Sequence, residues 1–168
     1  MSMGIEQFLQ TAQPPELGPA RRQGAQSTAE IERALGAKVS PLLRATVLLW
    51  HDHLDEAHEI VQDVDSADGS YLHAIMHRRE PDYGNAKYWF RRVGQHPCFK
   101  ELVSEAEKIL PGEKALLGRL ISRGNWDAFA FVDACEQAAS AKLTREQEQL
   151  LRRIQAAELR LLFDRFNQ

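Results

Sequence analysis

Cysteine is scarce: Cys98 and Cys135 are the only two in 168 residues, and they form no CxxC pattern. A disulfide framework and a thiolate zinc cage are therefore not expected, and two free thiols fit a reducing, cytoplasmic setting. Long apolar runs are also missing. The best candidate, around Leu42–Trp50, is interrupted by Arg44 and falls well short of the roughly 18 residues of a membrane span. Glu6 lies early and no basic cluster accompanies it, so a secretory leader is not expected. Neither sign of charge dominates. A net charge of −3 and a pI near 6.1 leave no whole-protein field for nucleic acid or an anionic membrane. There is no strand-like alternation, internal repeat or low-complexity tract. GxSxG is absent, HExxH is absent, and so is the Glu-x-x-His of di-iron bundles, which removes the commonest hydrolase and metallobundle signatures.

What remains is an ordinary soluble composition, 43% hydrophobic and 27% charged, with one unusual block. All six histidines lie between residues 51 and 96: His51, His53, His58, His73, His77 and His96. All three tyrosines (Tyr71, Tyr83, Tyr88) are there as well, with Trp50 beside it and Trp89 within it. The first part is acidic, through Asp52, Asp55, Glu56, Glu59, Asp63, Asp65 and Asp68. The second is basic, through Arg78, Arg79, Lys87, Arg91 and Arg92.

The surrounding pattern is helical. Ser40-Pro41 supplies a cap hydroxyl and a first-turn proline. From there Leu43, Val47, Trp50, Leu54, Ala57, Val61 and Val64 alternate spacings of four and three, predicting one long helix over 41–64. On it, His51 and His58 lie at the edge of the apolar stripe, Asp55 and Gln62 further out, and Asp52 toward solvent. DVDSADG (63–69) reads as a turn, and Ser70 or Asp68 as the cap of a helix reaching Arg79, where Pro81 stops it. Further helices are expected over 85–93, from His96-Pro97, weakly over 113–122, and from Asn125. Thr144 and Gln147 have capping-box spacing before a last long helix over 145–166. The expected fold is all-α: an irregular bundle with two long helices and several short ones. Residues 1–26, with a short helix over 4–12 and Pro14, Pro15, Gly18 and Pro19 after it, form an N-terminal arm. Residues 27–168 form a single helical domain.

Three readings of the block stand side by side. In the first, His73 and His77, four apart on one helix, ligate a divalent ion, and the turn at 65–69 brings His58 or His51 as a third ligand. Zinc, nickel or iron would suit such a set, with an open position for water. Glu80 or Asp55 would be a base, a ligand or a carboxylate holding an imidazole, and Arg78 or Arg92 would clamp a small anionic substrate. Tyr88, Trp89 and His96 would form the rim. In the second reading the block is a buried hydrogen-bond network with no chemistry, and the protein an interaction or scaffold module. In the third it is a metal-free ligand pocket. Cys98 and Cys135 read as a cap and a core residue rather than as nucleophiles. No nucleic-acid or membrane partner is expected, while apolar residues in 1–36 leave room for a homodimer.

At HDHLDEAHEIVQ, DGSYLHAIMHRREPDYGNAKYWFRRVGQHP and GNWDAFAFVDACE the chain resembles an uncharacterised family of helical proteins from bacteria and fungi, over roughly residues 45–165. The resemblance implies a helical fold and no particular reaction. The WHD at 50–52 looks like the HD of HD-domain phosphohydrolases, but no earlier histidine precedes His51. The HxxxHR at 73–78 is similar to the metal triad of DinB-like four-helix bundles, where that pair lies later in the chain.

Overall fold

The computed structural model describes residues 5–168. The expected start of the first short helix, residue 4, lies outside them. The regular elements run α1 (Thr28–Leu35), α2 (Pro41–Trp50), α3 (Leu54–Val61), α4 (Ala67–Arg79), α5 (Tyr83–Val93), α6 (Cys98–Ile109), α7 (Lys114–Leu120), β1 (Ile121–Ser122), β2 (Asn125–Trp126), α8 (Ala128–Ala139) and α9 (Arg145–Phe166). The architecture is all-α, and no helix among the described residues is long and apolar enough to cross a membrane.

The caps of α1, α2 and α9 follow their sequence spacing, whereas α8 is capped by Asp127 and not by Asn125, which lies in β2. Ser27 with Glu30 and Thr144 with Gln147 form complete capping boxes, and the Ser40 hydroxyl accepts from Leu43 N ahead of Pro41. The 22-residue α9 lays Leu151, Ile154, Leu159, Leu162 and Phe163 into the core against α2, α6 and α8. At the centre lies α4, which packs most extensively on α5 and is buried from Gly69 through Arg79.

Four expectations about local structure are corrected. The helix over 41–64 is two helices, broken at His51–His53. Asp52 there takes a left-handed backbone, φ 66°, which costs an L residue roughly 1–2 kcal/mol. Its carboxylate offsets that cost, because it is buried rather than solvent-facing. It accepts from Arg22 Nη1 at 2.6 Å, Arg22 N at 3.1 Å and Arg79 Nη2 at 2.7 Å. The apolar rhythm continues across the break, so it hides it.

Second, α4 begins at Ala67 and is capped by Ser66, whose Oγ accepts from Gly69 N at 3.0 Å; neither Asp68 nor Ser70 caps it. Gly69 is required, since a Cβ there would collide with the Val64 carbonyl oxygen and side chain. Third, α7 stops at Leu120, and a two-residue antiparallel pairing follows, Ile121 with Trp126 and Ser122 with Asn125. Arg123 and Gly124, both at positive φ, make the primed turn such a hairpin needs. Strands of two residues are too short to leave an alternation in sequence. Fourth, residues 5–9 form a single 3-10 turn.

The segment from this turn to residue 26 runs along the body as a strap. Phe8, Leu9 and Leu17 are in the core. Arg152 donates to the Pro14 and Pro15 carbonyls, Gln155 to the Glu16 carbonyl, and Arg22 to the Trp50 carbonyl.

Candidate metal centre

The Gly69 corner folds α3 onto α4, and the turn at Glu80–Asp82 folds α5 back along α4. His58 from α3 therefore meets His73 and His77 from α4. Ring centroids are 4.9 Å apart for His58 and His73, 5.4 Å for His58 and His77, and 4.8 Å for His73 and His77. Each ring offers one nitrogen such that the three lie within 4.8 Å of one another. His73 and His77 are buried and His58 half-buried.

Partners differ sharply among the three. His77 Nδ1 lies 3.2 Å from Glu80 Oε2, and the Asn85 amide sits beside the same ring, 3.2 Å from Nε2. His73 is only 4% exposed, yet neither of its ring nitrogens has a hydrogen-bond partner among the described residues. Trp89 stacks on it at 3.9 Å between centroids. Burial, then the neighbouring His77 and His58, lowers the His73 pKa to about 4. Burial also lowers that of His77, while the Glu80 carboxylate pulls the other way. The neutral imidazole that a metal requires is thus the stable form of His73 at neutral pH.

The large polar side chains beside these histidines on α4 are engaged. Tyr71 donates to Glu158 Oε1 at 3.0 Å, and burial, then Glu158, holds its phenol well above the ordinary range. Arg78 donates to Glu158 Oε2 at 2.6 Å and to Gln155 at 3.0 Å, leaving only its Nε without a partner. Arg79 donates to Asp52 and to the Leu49 carbonyl. Against this background the bare His73 is the exception.

Several sequence-predicted site residues lie elsewhere. His51 belongs to the helix break, not the cluster. Its Nδ1 accepts from Gln26 N at 3.1 Å and its Nε2 donates to the Phe8 carbonyl at 3.0 Å, so the strap uses both nitrogens. Arg78 is no anion clamp, because its guanidinium is fully buried against Glu158. Arg92 is exposed, 3.4 Å from Asp65, with its guanidinium 5.4 Å from the Trp89 ring centroid. Asp55 is exposed, and no hydrogen bond or ion pair among the described residues ties it to the cluster. His96 is not at the rim: its Nε2 donates to Asp68 Oδ1 at 2.7 Å and its Nδ1 accepts from Cys98 N. Burial pushes the Cys98 thiol up to about 11 and the Cys135 thiol to about 12, so neither is a thiolate at neutral pH.

Trp89 and Asn85 are the contacts that sequence reasoning underrated. The signal was present. Asn85 and His77 lie four residues either side of Pro81, and Trp89 and His73 lie eight either side. A tight antiparallel turn centred on that proline pairs them. Compared with family models, curated protein sequences and solved structures, the chain matches none.

Proposed function

We propose that His58, His73 and His77 together bind one divalent transition-metal ion, and that the protein is a metal-dependent enzyme working through an activated water. The observation that carries this is His73: an imidazole 4% exposed, with two unpaired nitrogens, facing two further imidazoles. Leaving a buried polar atom unpaired costs about 1–3 kcal/mol, and a metal bond removes that cost. Zinc–nitrogen bonds of about 2.0–2.1 Å place the ligands of a tetrahedral site about 3.3 Å apart. The three imidazole nitrogens, within 4.8 Å of one another, would have to draw together to reach that spacing.

Three neutral nitrogen ligands with an open position suit zinc, nickel or iron. An ion held by His58, His73 and His77 would supply a water made acidic near neutral pH. Glu80, 3.2 Å from His77 Nδ1, would hold its proton in the usual part of an outer carboxylate, leaving Nε2 for the ion once the Asn85 amide gives way. A small anionic substrate would be held by the ion itself, since Arg78 and Arg92 are committed elsewhere.

A second reading rests on the Trp89 stack. If the indole is the partner that matters, the three rings are a packed, neutral cluster within an interaction or scaffold protein. The test uses the untagged full chain. Metal content and cobalt(II) absorption are expected to report one ion per chain, lost in His77→Ala. If neither zinc, nickel, iron nor cobalt binds, while His73→Leu lowers the melting temperature, the packed cluster is the correct account.

A further inference from the structure

A cleft of about 680 Å³ opens between the first turns of α6 and the β1–β2 hairpin, sharing no residue with the imidazole cluster. Its size lies within the roughly 300–1,000 Å³ usual for small-molecule sites. Phe99 and Val103 from α6 and Trp126 from the hairpin give it apolar walls. A second hollow of about 190 Å³ shares Phe99 and Trp126 with it and extends the space past the hairpin.

The polar features are one-sided. Lys100, an exposed residue, brings a full positive charge, and no Asp or Glu lines the cleft. His96 at the wall contributes no free nitrogen, as both are used by Asp68 and the Cys98 amide. Trp126, 6% exposed, has an indole Nε1 that is buried without a partner among the described residues. Buried indole N–H groups ordinarily find an acceptor. The cleft therefore combines an apolar lining with one cation and no carboxylate of its own, Asp127 lining only the second hollow.

We infer that this cleft is a binding site for a small monocarboxylic acid with an apolar body, of the medium-chain fatty-acid or aryl-acid kind. The hydrocarbon lies against Phe99 and Val103. The carboxylate faces the Lys100 ammonium, with the Trp126 ring forming part of the wall beside it. None of this depends on metal at the histidines.

The experiment is a titration of the ¹⁵N-labelled full chain with sodium octanoate, read at the three tryptophan indole resonances. Trp126 is assigned by its proximity to the Phe131 ring, 5.4 Å between centroids. The expected result is a saturable shift of Trp126 alone, with Kd about 1 mM or tighter. Octanol is expected to bind about three- to ten-fold more weakly, and Lys100→Gln to bring octanoate to the octanol level. Ser104→Phe, at an exposed position beside the cleft, is expected to abolish the shift while leaving the rest of the spectrum folded. An unmoved Trp126 at about 5 mM octanoate, equal shifts at all three indoles, or an unchanged affinity in Lys100→Gln would each overturn the assignment.

Discussion

Two groups of histidines from one short stretch have opposite surroundings. His51 and His96 are buried with both nitrogens engaged: one accepts a backbone amide, and the other donates to a carbonyl or a carboxylate. Those contacts fix the neutral tautomer with its proton on Nε2, and such rings join segments of chain. His73 is equally buried and has neither contact, while His77 has the Glu80 carboxylate at Nδ1 and the Asn85 amide at Nε2. Burial therefore does not distinguish a structural imidazole from a chemical one. What sets His73 apart is that both of its nitrogens lack a partner beside two further imidazoles.

The largest effect that would sharpen this comparison belongs to the structural side. Asp52→Ala leaves Arg22 and Arg79 facing a buried void and is expected to cost about 3–5 kcal/mol in urea unfolding. Folded Asp52→Ala protein should still take up metal normally; if uptake is lost, the two groups are not independent. His77→Ala should do the reverse, weakening zinc affinity by at least about 100-fold in chelator competition while metal-free stability shifts by no more than about 1 kcal/mol. Glu80→Gln should lower zinc affinity by about 10- to 100-fold, because it removes the orienting carboxylate and keeps the ligand.

The pH dependence is smaller and its sign follows from the lowered pKa values. His51 and His73 stay neutral in the folded protein down to about 4, whereas unfolded imidazoles take up protons below about 6.5. Between those limits the unfolded state binds more protons, so metal-free stability falls as pH drops from about 6.5 toward about 4 and is unaffected above. His73→Leu should reduce that slope by about one proton, with the contribution of His51 persisting; an unaltered slope would mean His73 is already solvated. Asp55→Asn and Arg92→Gln should change stability by no more than about 0.5 kcal/mol and leave metal affinity unaltered, checked by the same two assays.

The helical architecture was legible because caps and stripes are local: Ser40 and Thr144 announce their helices within four residues. The meeting of His58, His73 and His77 was legible too, since it needs only i, i+4 spacing and two short turns. Asp52 was not. Its burial depends on Arg22 and Arg79, each about thirty positions away in the chain, and nothing in its own neighbourhood reveals them. For the same reason Arg78 looked like a clamp: its partner Glu158 is eighty residues downstream. Helical geometry sends the adjacent Arg78 and Arg79 apart, Arg78 to α9 and Arg79 to the helix break.

The strap carries a consequence for how the chain acquires its fold during synthesis. Its carbonyls at Pro14, Pro15 and Glu16 are received by Arg152 and Gln155, side chains made some 137 to 139 residues later. On the ribosome, the Pro14–Glu16 stretch must therefore wait for α9 to emerge from the exit tunnel, although α2 and α4 already offer partners to Phe8, Arg22 and Gly18. Nascent chains stalled before residue 150 should be cut by protease near Glu16 faster than released full-length protein.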